Sequence, residues 1–196
     1  MMQTLDLMVR TTPRGSLLQL PAGTSIYCRR MVFTSPVERA TPDRLADERD
    51  ALTQQLDFHR ATLLRKLEGL EGEQLRRTMT PSGLSLLGLV KHLAETEHGW
   101  FLKIYAGLPE PDLFSTGGDF LVGPEETADL LVGQYLRTCE RARAVVAAGD
   151  LDDVVTTPSG AEANLRAILI HMVQETARHN GHADIIREAI DGATGH

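Results

Sequence analysis

Cysteine is almost missing from this 196-residue chain: Cys28 and Cys139 stand far apart and in no CxxC pattern. That argues against a disulfide framework and against a thiolate zinc cage, and it fits a reducing, cytoplasmic setting. Aromatic residues are scarce too, at 5%, so a core must be built mostly from Leu, Ile, Val and Ala. No Lys/Arg block stands out, with 20 basic residues against 27 acidic ones and a net charge of −7. A sequence-independent nucleic-acid surface would need clustered positive charge, so no nucleic-acid partner is expected. Long apolar runs are also lacking. "LLGLV" at 86–90 and "AILI" at 167–170 are core segments, far below the roughly 20 residues that span a bilayer, and no membrane partner is expected. Arg10 and Arg14 have no continuous apolar stretch near them, which excludes a signal-peptide pattern.

What is there is enough for one sizeable domain, with 42% hydrophobic and 24% charged residues. Residues 1–40 differ from the rest. The text from 11 to 42, "TTPRGSLLQLPAGTSIYCRRMVFTSPVERATP", carries four prolines and no sustained helical period. It reads as a poorly structured or loosely docked leader, with Met31 as an alternative start. From 41 to 196 the chain reads as one helical domain. Thr41 and Pro42 offer an N-cap and a first helical position. Leu45, Leu52, Leu56, Leu63, Leu67 and Leu70 then recur on one face of a helix over about 42–70. His59 falls on that stripe and reads as a core histidine bonded to a neighbour. Further helices are expected at about 84–106, from Pro124 to about 148, and at about 164–190 with Gly192 as the stop. No convincing strand and no internal repeat is visible. Four helices of similar length describe an all-α four-helix bundle.

The stretch "QETARHNGHADIIREAIDG" at 174–192 raises the functional question. At 100° per residue, His171, Glu175, His179 and His182 share one side of the last helix. His179 lies within the stripe formed by Leu165, Ile168, Met172, Ala183, Ile186 and Ile190, with Glu175 on its shoulder. A buried imidazole and a carboxylate one turn apart are costly unless bonded or coordinated. Ligands at i and i+4 converge over one turn of a bundle helix, and a third can come from another helix. "LVKHLAETEHGWF" supplies His92. Spacing alone leaves two readings, a metal site or separate hydrogen-bonded polar residues. Two further expectations concern the same helix. Glu97 falls among apolar residues and should be paired with an arginine, and His98 points to another side and should be exposed.

"SLLGLVKHLAETEHGWF", followed about eighty residues later by "LIHMVQETARHNGHADIIREAIDGATG", resembles the DinB superfamily, in particular its domain-of-unknown-function branch that includes the mini-circle protein. The resemblance runs from about 41 to 195 and implies an up-up-down-down four-helix bundle with a divalent metal near one end. It implies His92, Glu175 and His179 as metal ligands. His182 would orient or relay a proton from the outer shell, or replace Glu175. It also implies a metal of the zinc, nickel or iron class and a low-molecular-weight thiol cosubstrate such as mycothiol or bacillithiol. The corresponding activity is a thiol S-transferase or isomerase acting on small electrophiles. The rival reading is a non-catalytic or stress-related metal-binding bundle that acts through protein partners, a second copy of the chain in a homodimer among them.

Overall fold

The computed structural model describes residues 32–114 and 118–195. Among them the long elements are all helices, joined by irregular loops; contrary to the expectation of no strand, one short hairpin and an isolated bridge between Val32 and Glu71 are also present. Helix α1 spans Glu48–Arg65, α2 Gly72–Arg76, α3 Leu86–Glu97, α4 Ala128–Ala148 and α5 Leu165–Asp191. α3 continues without a break as a π-helical segment, His98–Tyr105. Strands β1, Val154–Thr156, and β2, Glu162–Asn164, pair antiparallel between α4 and α5. Among the described residues, no helix is long and apolar enough to cross a membrane.

Side-chain caps set the helix starts. Asp47, Ser85, Thr127 and Asn164 each accept a hydrogen bond from a backbone N–H three residues on, satisfying a donor the helix cannot. α1 therefore begins at Glu48 rather than near Pro42, and Leu45 stays outside it, fully exposed. α5 ends as expected at Gly192, whose φ of 79° lets its N–H reach the Glu188 carbonyl at 2.8 Å.

The all-α bundle is as expected, but the helix directions are not up-up-down-down. α1 runs parallel to α5, since Glu48 meets Arg166, His59 meets Asn180 and Lys66 meets Asp184. α3 runs antiparallel to α5: His92 faces Glu175 and His179, while Trp100 faces His171. α3 and α4 are parallel, with Lys91 on Glu126 at one end and Tyr105 against Gly149 at the other. The order is up, down, down, up. The physical reason lies in the connections. The described residues of the connection after α3, 106–114 and 118–127, lead back to the opposite end of the bundle, whereas the 149–164 link folds into the β1–β2 hairpin and simply reverses the chain.

Two apolar clusters fill the interior. One gathers Leu63, Leu67, Leu87, Leu93, Leu131 and Ile186, the other Leu56, Phe101, Val146, Leu165, Ile168 and Met172. Between them in register lies a buried polar layer that includes Arg60, Glu97, Thr138, Thr176, His179 and Asn180. Arg60 holds Glu97 through two bonds, Nε to Oε1 at 2.7 Å and a terminal nitrogen to Oε2 at 2.5 Å, and Glu97 is wholly buried. The arginine expected for Glu97 is thus Arg60. His59 is half-buried, and its carbonyl accepts from the Asn180 amide at 3.0 Å.

Phe33 and Val37 pack on the first cluster, and Phe33 exchanges backbone hydrogen bonds with Leu70 and Gly69. Packed structure therefore starts well before residue 41. The remainder of the expected leader, with Cys28, lies outside the described residues, and Cys139 is buried and free.

Candidate metal centre

The site forms where α3 and α5 cross. α3 opens with "LLGLVKHL", in which Leu86, Leu87, Leu89, Val90 and Leu93 are all buried. The helix is thus apolar on most sides, and His92 emerges on the flank that meets α5. α5 presents Glu175 and His179 one turn apart on the facing side. The antiparallel crossing sets all three at one level of the bundle.

Glu175 Oε1 lies 3.0 Å from His179 Nε2 and 3.4 Å from His92 Nε2. One ligand atom from each of the three residues falls within 4.8 Å of the others, and this is a group able to hold a metal ion among the described residues. Side-chain exposures of 16%, 14% and 9% for His92, Glu175 and His179 leave the group largely covered but still in reach of water. Four-coordinate zinc bonds of about 2.0–2.1 Å put neighbouring ligand atoms roughly 3.3 Å apart, so these two separations suit a small divalent ion.

The partners on the outer side of the two rings suit a cation as well. His92 Nδ1 lies 2.7 Å from a carboxylate oxygen of Asp119, and His179 Nδ1 lies 3.3 Å from Nδ1 of His182. With each outer nitrogen donating its proton outward, both Nε2 atoms are left as lone pairs beside a carboxylate oxygen. Three acceptors converging in a half-buried space repel one another unless a cation lies among them. Burial pushes the His179 imidazole below its usual range, reinforced by His92 and opposed by Glu175, which favours the neutral, ligating form. Burial raises the Glu175 carboxyl; when the imidazoles rather than an ion carry the positive charge, the hydrogen bond from His92 and the charge on His179 outweigh burial, and the net shift is downward. Arg178 holds the other Glu175 oxygen at 2.8 Å.

His92, Glu175 and His179 come together. His182 is adjacent, in contact with His179 and not with the shared centre. His171 lies apart from it, its ring 4.6 Å from that of Trp100. His98, expected to be exposed, is buried, because Glu110 from the following loop meets its Nε2 at 3.1 Å and Arg141 of α4 clamps Glu110 in turn. A helical wheel of α3 cannot show cover supplied by other elements. Sequence reasoning missed Thr96, Asp119 and Phe120. Thr96 Oγ1 approaches His92 Nε2 at 3.4 Å, and its i+4 spacing from His92 was a usable signal. Asp119 and Phe120 sit in an irregular loop and carried none. Cys139 is no nucleophile, since burial pushes its thiol up to about 12.

A family model described as Mycothiol-S-transferase matches residues 51–192, which is well over half of the chain and includes every residue of the centre. No curated protein matches the chain. The chain belongs to the mycothiol-S-transferase family, within the DinB group of helical bundles.

Proposed function

We propose that the protein is a divalent-metal-dependent S-transferase that joins a small sugar-bearing thiol, of the mycothiol type, to small electrophiles in the cytoplasm. The observation that carries this reading is the convergence of His92 Nε2, Glu175 Oε1 and His179 Nε2 at one half-buried point, together with the family match. His92, Glu175 and His179 bind the ion, leaving positions open on the solvent side for a thiol. A divalent ion there supplies the field that lets a thiol shed its proton near neutral pH, and the thiolate is the nucleophile. His182 keeps the His179 ring in the orientation that aims Nε2 inward. Arg178 fixes Glu175 from outside. The Trp100–His171 pair, half-buried one to two turns along the same α3–α5 seam, flanks the approach of the organic substrate.

With monochlorobimane as electrophile, the thiol sulfur forms a bond to carbon. Chloride leaves with the carbon–chlorine pair, and the thiol proton goes to solvent. Elemental analysis of the purified protein, paired with this transfer assay using mycothiol, tests the proposal. One equivalent of a zinc-, nickel- or iron-class metal with metal-dependent bimane conjugation is the expected outcome. Stoichiometric metal without thiol transfer would instead favour a metal-binding bundle that works through protein partners.

A further inference from the structure

The loop that follows the π-helical segment returns to α3 beside His92, and three successive residues of it are fastened there. Asp119 reaches His92 Nδ1 at 2.7 Å, at the short end of N–H···O distances, as suits a charge-assisted bond. The Phe120 ring stacks on the His92 imidazole, with centroids 4.0 Å apart and planes 17° from parallel, and lies 5.8 Å from the His179 ring. The Leu121 carbonyl accepts from Lys91 Nζ at 2.6 Å. Lys91 is itself buried and also binds Glu126, whose carboxylate takes the Gly123 N–H at 2.7 Å.

α3 is shaped for this loop. A Cβ on Gly88 would collide with the Phe120 carbonyl oxygen, so only glycine admits the backbone there. Gly88, Lys91 and His92 are spaced i, i+3 and i+4, which places them on one face of the helix. The same face thus receives the loop and carries the proposed metal ligand.

We propose that Asp119 is a positioning residue of the metal centre: it accepts the Nδ1 proton of His92, which fixes the tautomer and aims the Nε2 lone pair at the point shared with Glu175 and His179. Phe120 holds the ring plane and keeps water from that side. The inference rests on the reading of His92 as a ligand. A carboxylate behind a ligating histidine raises its basicity and fixes its orientation, and loss of such a partner typically costs about 10–100-fold in metal affinity.

The test uses the full chain and Zn2+ alone. Affinity is measured by competition with a chromophoric chelator, and the His92 tautomer by 15N chemical shifts of the metal-free protein. Asp119→Ala should weaken Zn2+ about 10–100-fold with one equivalent still bound at saturation. His92 should shift away from the Nδ1–H form. Asp119→Asn, whose amide oxygen still accepts the proton, should keep the tautomer and recover part of the affinity, and it serves if the alanine variant fails to fold. A purely structural tether would lower the melting temperature while leaving affinity and tautomer at wild-type values, and that result overturns the proposal. Absence of Zn2+ binding by the wild-type protein would overturn the metal reading itself, and this inference with it. Wild-type binding with unchanged Asp119 variants overturns only the role of Asp119.

Discussion

Glu175 is the residue on which the chemistry of the centre turns, because its two oxygens face different ways. Oε1 lies between two imidazoles and Oε2 is held by Arg178. Replacing it by glutamine keeps the shape and removes the anionic donor. Glu175→Gln should release most of the metal, while His182→Ala should retain it with weakened affinity, as read by elemental analysis after exhaustive dialysis. If His182→Ala is the variant that loses the ion, the third ligand is His182. His92→Ala and His179→Ala should each abolish stoichiometric metal. Full occupancy in both would reduce the group to a hydrogen-bonded polar edge. Glu97 makes a different residue-level case. It is wholly buried and paired with Arg60, so Glu97→Ala leaves a buried guanidinium without its main partner. A loss of about 3–5 kcal/mol in urea unfolding is expected.

Among the elements, α1 and α4 are joined through charged side chains. Arg49 donates to the carbonyls of Val146 and Gly149, and Asp57 binds both Arg60 and Arg143. Burial raises the Asp57 carboxyl, but the Arg143 hydrogen bond and the Arg60 charge outweigh it, leaving it below its ordinary value of 3.8. A depressed carboxyl stabilises the folded state above its unfolded pKa, and that contribution disappears as pH falls through the lower folded value. Asp57→Asn should therefore melt below the wild type at pH 7. The gap should close as pH drops beneath 3.8 in matched thermal melts. The cap of α5 gives a second test at this scale. Asn164 Oδ1 accepts from the Ala167 N–H at 2.9 Å, and Asn164→Ala should cost about 1 kcal/mol in chemical denaturation. Metal binding by that variant should be intact, since Glu175 lies three turns away.

At the scale of the whole molecule, the up-down-down-up order is what makes α3 and α5 antiparallel neighbours. It therefore sets the level at which His92 meets Glu175 and His179. The long return after α3 is part of the same arrangement, because it lays Asp119 and Phe120 against His92. The start of the packed chain can be tested directly. The composition of residues 1–30 predicts that their removal shifts the melting temperature by no more than a few degrees. Removal of residues 1–40 should lower it distinctly, since Phe33 and Val37 pack on the core and Phe33 is bonded to Leu70 and Gly69. Equal melting of the two shortened chains would show that this packing contributes nothing.

Much of this was legible from residue order, because it is local. The leucine period of α1, the caps and stops of α5, and the shared side of Glu175 and His179 all follow from 3.6-residue geometry, so the four long helices, apart from the start of α1, and two of the three cluster residues were determined by the sequence itself, whereas the short α2 and the β1–β2 hairpin were not. The KHL histidine was identified by family resemblance, and Glu97 was read as paired because a carboxylate on an apolar face cannot stand alone. Tertiary structure decided the rest. Helix directions depended on whether each loop crosses the bundle or turns back, which loop composition does not encode. His98 is buried by Glu110 and Arg141, both remote in sequence, and Asp119 reaches His92 across 27 residues from a loop with no period. Contacts between elements arise only when the elements pack, so no wheel drawn on one helix could have shown them.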